Sequence, residues 1–287
     1  QSTPGMVSIN NADAMPYRPN SNLEQITGTD WFATWNKTLE KFKSRYGAPL
    51  GIATQKLTQG GRFTGGHTLA PDGWIYFSDE SPDRGSSLAR MRPDGAKREI
   101  LAPKESGGPI VVSASPDARL VAYAAYDLYL YDTQLKKSLR LTEGERAANP
   151  AFADNDTLYY TSQLSNGMQA IKKISISSRK ISEIFRSNLF ERLSALVVYK
   201  NTLYFSRHNN RGQEEILKFA LTAVDSASIA HILQAQIAMP MANKGKYFFE
   251  RDPYLSADGT LYFAANYPEK SARYDIYRWN EKKKSKL

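Results

Sequence analysis

The chain holds 287 residues and 32.2 kDa, with 41% hydrophobic, 11% aromatic and 23% charged residues; that much apolar surface offsets chain entropy and excludes a disordered polymer. Thirty-eight Lys and Arg against 29 Asp and Glu leave +9, which points to an anionic partner, although Lys282, Lys283, Lys284 and Lys286 crowd one terminal run that reads as a solvated tail. The longest apolar run, Leu120 to Tyr126, spans seven residues, far short of the roughly 20 of a membrane-spanning helix, and the absence of cysteine excludes disulfides, thiolate catalysis and zinc-thiolate or iron-sulfur sites.

Residues 1–29 carry Pro4, Pro16 and Pro19 with almost no periodicity and read as an extended arm. The start at Gln1 with the polar run Ser2 to Gly5 is expected of a mature terminus left by signal-peptide removal, which gives a periplasmic or secreted protein. Trp31, Phe32, Trp35, Leu39, Phe42 and Tyr46 then recur on one face of a 3.6-residue period, with Thr29 or Asp30 to cap the start and Gly47 and Pro49 to stop it. This amphipathic helix is expected to dock its aromatic stripe on the rest of the fold.

Beyond residue 50 the pattern changes to short strands of period two, and one unit recurs: a small or apolar residue, a Pro-Asp-Gly type of turn, then an alternating strand. It stands as Leu69-Ala-Pro-Asp-Gly-Trp-Ile-Tyr-Phe77, Ala114 to Tyr123, Phe152 to Tyr160, Val197 to Phe205 and Leu255 to Phe263. The turn positions Asp72, Asp117, Asn155, Lys200 and Asp258 lie 45, 38, 45 and 58 residues apart. A third strand follows each kernel (Ser87 to Met91, Asp127 to Tyr131, Ala170 to Ile174, Glu215 to Phe219, Asp275 to Trp279). A fourth is expected at Arg98 to Leu101, Ser138 to Thr142, Ile181 to Phe185 and Ser228 to Leu233. Four antiparallel strands per unit make an all-β propeller of five blades, or six if Gln234 to Phe249 holds a degenerate one. The organisation is then an arm and helix over 1–50, packed on a propeller over 51–287, with Gly51 to Thr58 expected to supply the outer strand of the last blade.

The kernels "APDGWIYFSD", "SPDARLVAY" with "DLYLYD" and "LRLT", and "RDPYLSADGTLYFAANYPEKSARYDIYRWN" resemble TolB-type propeller repeats over residues 57–287, the third and fourth units having lost the Pro-Asp-Gly turn. The resemblance implies non-catalytic recognition in the bacterial envelope, since TolB uses its propeller to hold an envelope lipoprotein. It also implies an alternative, a carbohydrate-active enzyme, because related repeats host glycosidases and lyases of pectate fragments.

The innermost strand of each blade lines the axial channel and begins at one mouth. Positions ahead of each kernel give the ligand-binding candidates Arg62, His67, Asn149, Arg192, Ser194, Arg251 and Asp252, with Val111 and Val112 in the second unit. Cations outnumber the one carboxylate, which suits a protein partner or an anionic envelope component or glycan better than hydrolysis by paired carboxylates. The three histidines fall in different units without ligand spacing, and Asp79, Glu80 and Asp83 lack the pattern of a calcium loop and, with Pro82, read as an exposed turn, so no metal and no cofactor is expected. Lys172, Lys173, Arg179 and Lys180 lack interleaved stacking aromatics and read as a charged blade edge, not a nucleic-acid surface. A monomer is expected.

Overall fold

The computed structural model describes residues 24, 28–46, 57, 64–81, 85–102, 111–221, 249–266, 274–280 and 283–286. The chain divides into two units, residues 1–56 and 57–287. The first contains one helix, α1 (Trp31–Tyr46). Asp30 caps it, its Oδ1 accepting the Ala33 N–H at 2.7 Å and its carbonyl the Thr34 N–H at 3.0 Å. Trp31, Phe32, Trp35 and Phe42 on its aromatic stripe are half or more exposed. No described helix is long and apolar enough to cross a membrane.

The second unit is a β-propeller of five antiparallel sheets. Blade I comprises β1 (Thr64–Leu69), β2 (Ile75–Ser81), β3 (Gly85–Met91) and β4 (Glu99–Ala102); blade II comprises β5 (Val111–Ala114), β6 (Leu120–Ala125), β7 (Asp127–Asp132) and β8 (Lys137–Arg140). Blade III holds β9 (Ala147–Phe152), β10 (Thr157–Gln163), β11 (Gln169–Ser175) and β12 (Ile181–Arg186). Blade IV shows three strands, β13 (Arg192–Tyr199), β14 (Thr202–His208) and β15 (Glu214–Ala220). Blade V has β16 (Glu250–Leu255), β17 (Leu261–Ala265), β18 (Asp275–Asn280) and β19 (Lys283–Lys286). The expected fourth strand of blade IV at Ser228 to Leu233, and the residues up to 248 weighed as a sixth blade, lie outside the described residues.

The lysine-rich terminal run is not a free tail: as β19 it pairs with β18, Lys284 opposite Trp279, and takes the outer place for which Gly51 to Thr58 was expected. Of that expected strand only Leu57 is described, and it packs with Ile75, Phe77 and Met91 of blade I.

The kernel turns form for a local chemical reason. Asp72, Asp117 and Asp258 each accept through Oδ1 the N–H two residues on, from Trp74, Arg119 and Thr260, all at 3.0 Å. The residue after each aspartate is left-handed: Gly73 (φ 77°), Ala118 (φ 58°) and Gly259 (φ 84°). Where the motif is lost the turn is rebuilt. In blade III, Asp154 takes the accepting role for the Asp156 and Thr157 N–H groups. In blade IV, Tyr199 pairs directly with Thr202, leaving a two-residue turn with Lys200 at φ 52°.

Cores form where blades meet. Tyr76, Leu88, Val121 and Tyr123 join blades I and II, and Ile171, Phe185, Leu203 and Phe205 join III and IV; all eight are essentially inaccessible. Polar ties accompany them. Buried Asp127 accepts from Arg140 Nη2 (2.7 Å), Thr142 Oγ1 (3.0 Å), the Gly144 N–H (3.2 Å) and the Glu145 N–H (3.0 Å). Burial alone pushes this carboxyl up, yet the Glu145 N–H, Arg140, the Gly144 N–H and Thr142 together hold it below the usual range. Glu145 in turn accepts from Lys172 Nζ at 2.6 Å and Tyr160 Oη at 3.2 Å on blade III.

Two charge clusters therefore differ from the surface roles expected of them. Lys172 is half-buried in that tie, and Arg179 Nη1 donates to the carbonyls of Arg140 and Leu141, both at 3.2 Å, linking blade III to blade II. Asp79, expected on an exposed turn, is 3% exposed and bridges Arg98 Nη2 at 2.5 Å.

Candidate functional site

The five innermost strands, β1, β5, β9, β13 and β16, converge on one axial cavity of about 540 Å³. A repeated backbone irregularity shapes it. In four of these strands one extra residue breaks the pairing register, at Gly66 in β1, Asn149-Pro150 in β9, Ala195-Leu196 in β13 and Asp252-Pro253 in β16. Each bulge carries a left-handed residue: Gly66 (φ 31°), Asn149 (φ 48°), Ala195 (φ 50°) and Asp252 (φ 55°). A bulge bends its strand and re-aims the side chain, and the bulged pairs of β9, β13 and β16 all line the cavity. Proline fits at Pro150 and Pro253 because a bulge interrupts the ladder, so its missing N–H leaves no pairing gap.

The lining is graded along the axis. His67, Asn149 and Asp252 stand at the strand-start end, whereas Leu69, Phe152, Val198 and Tyr254 follow towards the kernel turns. Leu69 and Tyr254 are 65% and 62% exposed at that end, large apolar groups held in water around one opening. The polar end is braced. Asn149 Nδ2 donates to Thr161 Oγ1 at 3.0 Å, and the Asp252 N–H donates to Ser206 Oγ at 3.1 Å, tying blade V to blade IV.

Of the residues expected at the mouth, the structure brings His67, Asn149 and Asp252 together in the lining. Arg192 and Ser194 are exposed on β13 outside it. Arg251 also stands outside: its guanidinium lies 3.9 Å over the Tyr274 ring, and its Nε is 3.5 Å from Asp252 Oδ2. Arg62 lies outside the described residues. Val111 and Val112 do line the cavity. The apolar half, Leu69, Phe152, Val198 and Tyr254, was not anticipated. An Asx-Pro doublet within a strand pattern, Asn149-Pro150 and Asp252-Pro253, was the available signal, since proline there implies a bulge. Among the described residues no group of three His, Cys, Asp or Glu side chains is placed to hold a metal ion.

A second cavity, of about 410 Å³, opens in blade IV and shares no residue with the first. Every side chain lining it is polar or charged, from the β12–β13 connector, from β14 and β15, and from the hairpin between those two strands. Nothing in the strand periodicity announced it, because most of its lining comes from connectors.

No protein-family model matches the chain and no curated protein matches it. Solved structures do. TolB from Acinetobacter baumannii superposes with a TM-score of 0.57 at 18% identity, over 74% of this chain and 51% of that one, so the chain spans about half its length. A TolB protein from Agrobacterium tumefaciens gives 0.56 at 14% identity over 79% and 80%, and the oligogalacturonate lyase of Vibrio parahaemolyticus 0.54 at 11% over 81% and 68%. At these identities the likeness is one of fold, a β-propeller shared by the TolB proteins and the lyase alike.

Proposed function

We propose that this propeller is a non-catalytic binding protein of the bacterial envelope or secretome, and that it receives a segment of a protein partner in its axial cavity. The observation that carries the reading is the graded lining. A polar end of His67, Asn149 and Asp252 and an apolar end of Leu69, Phe152, Val198 and Tyr254 suit an extended segment with a polar tip and apolar side chains behind it. The TolB likeness supports a binding role and an envelope location. Arg192 and Arg251, which precede the lining residues on β13 and β16, suit acidic groups on the partner.

The lyase likeness supports a second reading, a carbohydrate-active enzyme, for which Asp252 and His67 would be the acid and base. One experiment separates them. Wild type and Val198→Trp, which fills the channel, are used to capture partners from envelope extract and are also incubated with a panel of polysaccharides. Specific capture lost in a Val198→Trp variant of unchanged melting temperature supports binding; chain cleavage that requires His67 and Asp252 overturns it.

A further inference from the structure

We propose that the polar cavity of blade IV is a second ligand site, independent of the axial one, and that it takes a neutral sugar residue. Two of its charged side chains are set into the protein: Glu191 is 6% and Arg207 9% exposed. Arg207 is held by Glu215, whose Oε1 accepts from both Nε and Nη2 of the guanidinium, and Glu191 by its own turn, Oε2 accepting the Asn188 N–H at 3.0 Å. Asn209 Nδ2 donates to Gln213 Oε1 at 3.2 Å, while Asn209 Oδ1 accepts the Gln213 N–H at 3.1 Å and fixes the hairpin.

Each of these groups keeps hydrogen-bonding capacity unspent by the protein. Among the described residues Glu191 Oε1 and Glu215 Oε2 have no donor, and Arg207 Nη1, Gln213 Nε2 and the Arg211 guanidinium have no acceptor. Two acceptors and three donors thus belong to the residues that line one concavity, whose formal charges cancel, two Arg against two Glu. An anion would meet the two carboxylates and a cation the two guanidinium groups. A hydroxyl both donates and accepts, so a ring of adjacent hydroxyls matches such a mixed array.

The apolar face of a sugar also needs a partner, and the same turn provides one. Phe190, between the lining residues Asn188 and Glu191, is held at φ 67° and is 79% exposed. A phenylalanine left in water by a left-handed turn is unfavourable for folding on both counts, and it leaves a flat, uncovered ring on the same connector that supplies Asn188 and Glu191 to the cavity. The volume falls within the range of small-ligand sites.

Saturation-transfer NMR on the full chain, with glucose, galactose and N-acetylglucosamine as separate probes, tests the site. Transfer to at least one of these sugars is expected, weakened about tenfold or more by Gln213→Ala and by Phe190→Ala, the loss of one good contact. Leu135→Ala, on an exposed turn of blade II, should bind like wild type, and melting curves check that each variant folds. Transfer to none of the probes, or transfer unchanged in both blade IV variants, overturns the proposal. So does transfer abolished only by Val198→Trp in the axial cavity, and preferential binding of glycine or acetate would overturn the ligand class.

Discussion

Replacing Asp127 by alanine should destabilise the propeller by about 3 kcal/mol, a figure that follows from what each of its four donors would meet. Arg140 is 47% exposed in its side chain, so the ion pair itself contributes only about 0.5–1 kcal/mol after screening by water. Gly144 is exposed and its N–H regains a water partner. The Thr142 hydroxyl is 5% exposed and the Glu145 N–H is half-buried; orphaning them is expected to cost about 1 kcal/mol each. Asp127→Asn keeps one acceptor oxygen but turns an amide N–H towards existing donors, so it should lose about 2 kcal/mol. Urea unfolding followed by tryptophan fluorescence reads the change, since Trp74 packs at the core of blades I and II. The melting temperature should fall by roughly 6–12 °C in the alanine variant. An alanine variant within about 0.5 kcal/mol of wild type would refute the idea that this carboxylate joins the blades.

Acid should act through the same groups. The Ser115 hydroxyl at Asp117, the donors at Asp127, the Leu135 N–H at Asp132, the Ser177 N–H at Asp156 and the Ser256 hydroxyl at Asp258 all hold these carboxyls below their ordinary value. Their contribution is complete above the unfolded value of about 3.9 and is lost as pH falls through the folded values; urea midpoints should therefore fall steeply below about pH 4, and a flat profile would contradict the assignment. Gly259→Ala should destabilise by about 2 kcal/mol in chemical denaturation, because φ is 84° and a Cβ would sit 2.9 Å from Tyr199 Oη. Lys200→Gly, at an exposed φ of 52°, should instead stabilise by about 0.5–1 kcal/mol. If α1 docks its aromatic stripe on the propeller, Trp35→Ala will lower the melting temperature; unchanged stability with lost partner binding would make the helix a recognition element.

How much of this was legible in the sequence follows from what is local. Kernel strands read as short apolar runs because neighbouring blades bury both of their faces, β6 and β10 being covered at nearly every position, and the aspartate turns depend only on residues two apart, so both could be read directly, the turns from residues such as Asp72 and Trp74. The turns of blades III and IV kept their function after losing their motif, since Asp154 and Lys200 supply it by other means. β19 was misread because Lys-Lys-Ser-Lys has no strand pattern of its own and pairs through backbone groups with β18. The channel residues were found only in part. A bulge shifts the inward position by one residue, so counting back from the turn reached His67, Asn149 and Asp252 but also Arg192 and Ser194, which stand outside the lining. Asp79 and Lys172 misled because their partners, Arg98 and Glu145, come from other strands or connectors.

Site-specific photocrosslinking tests the axial-binding account most directly. Benzoylphenylalanine at Tyr254, in the apolar opening, is compared with the same group at Leu139, also more than half exposed, on the outer strand of blade II, both in envelope extract. One discrete protein adduct at position 254, absent at 139 and suppressed by Val198→Trp, is the predicted result. Equal labelling at both positions, or none at 254, would contradict a partner seated in the channel.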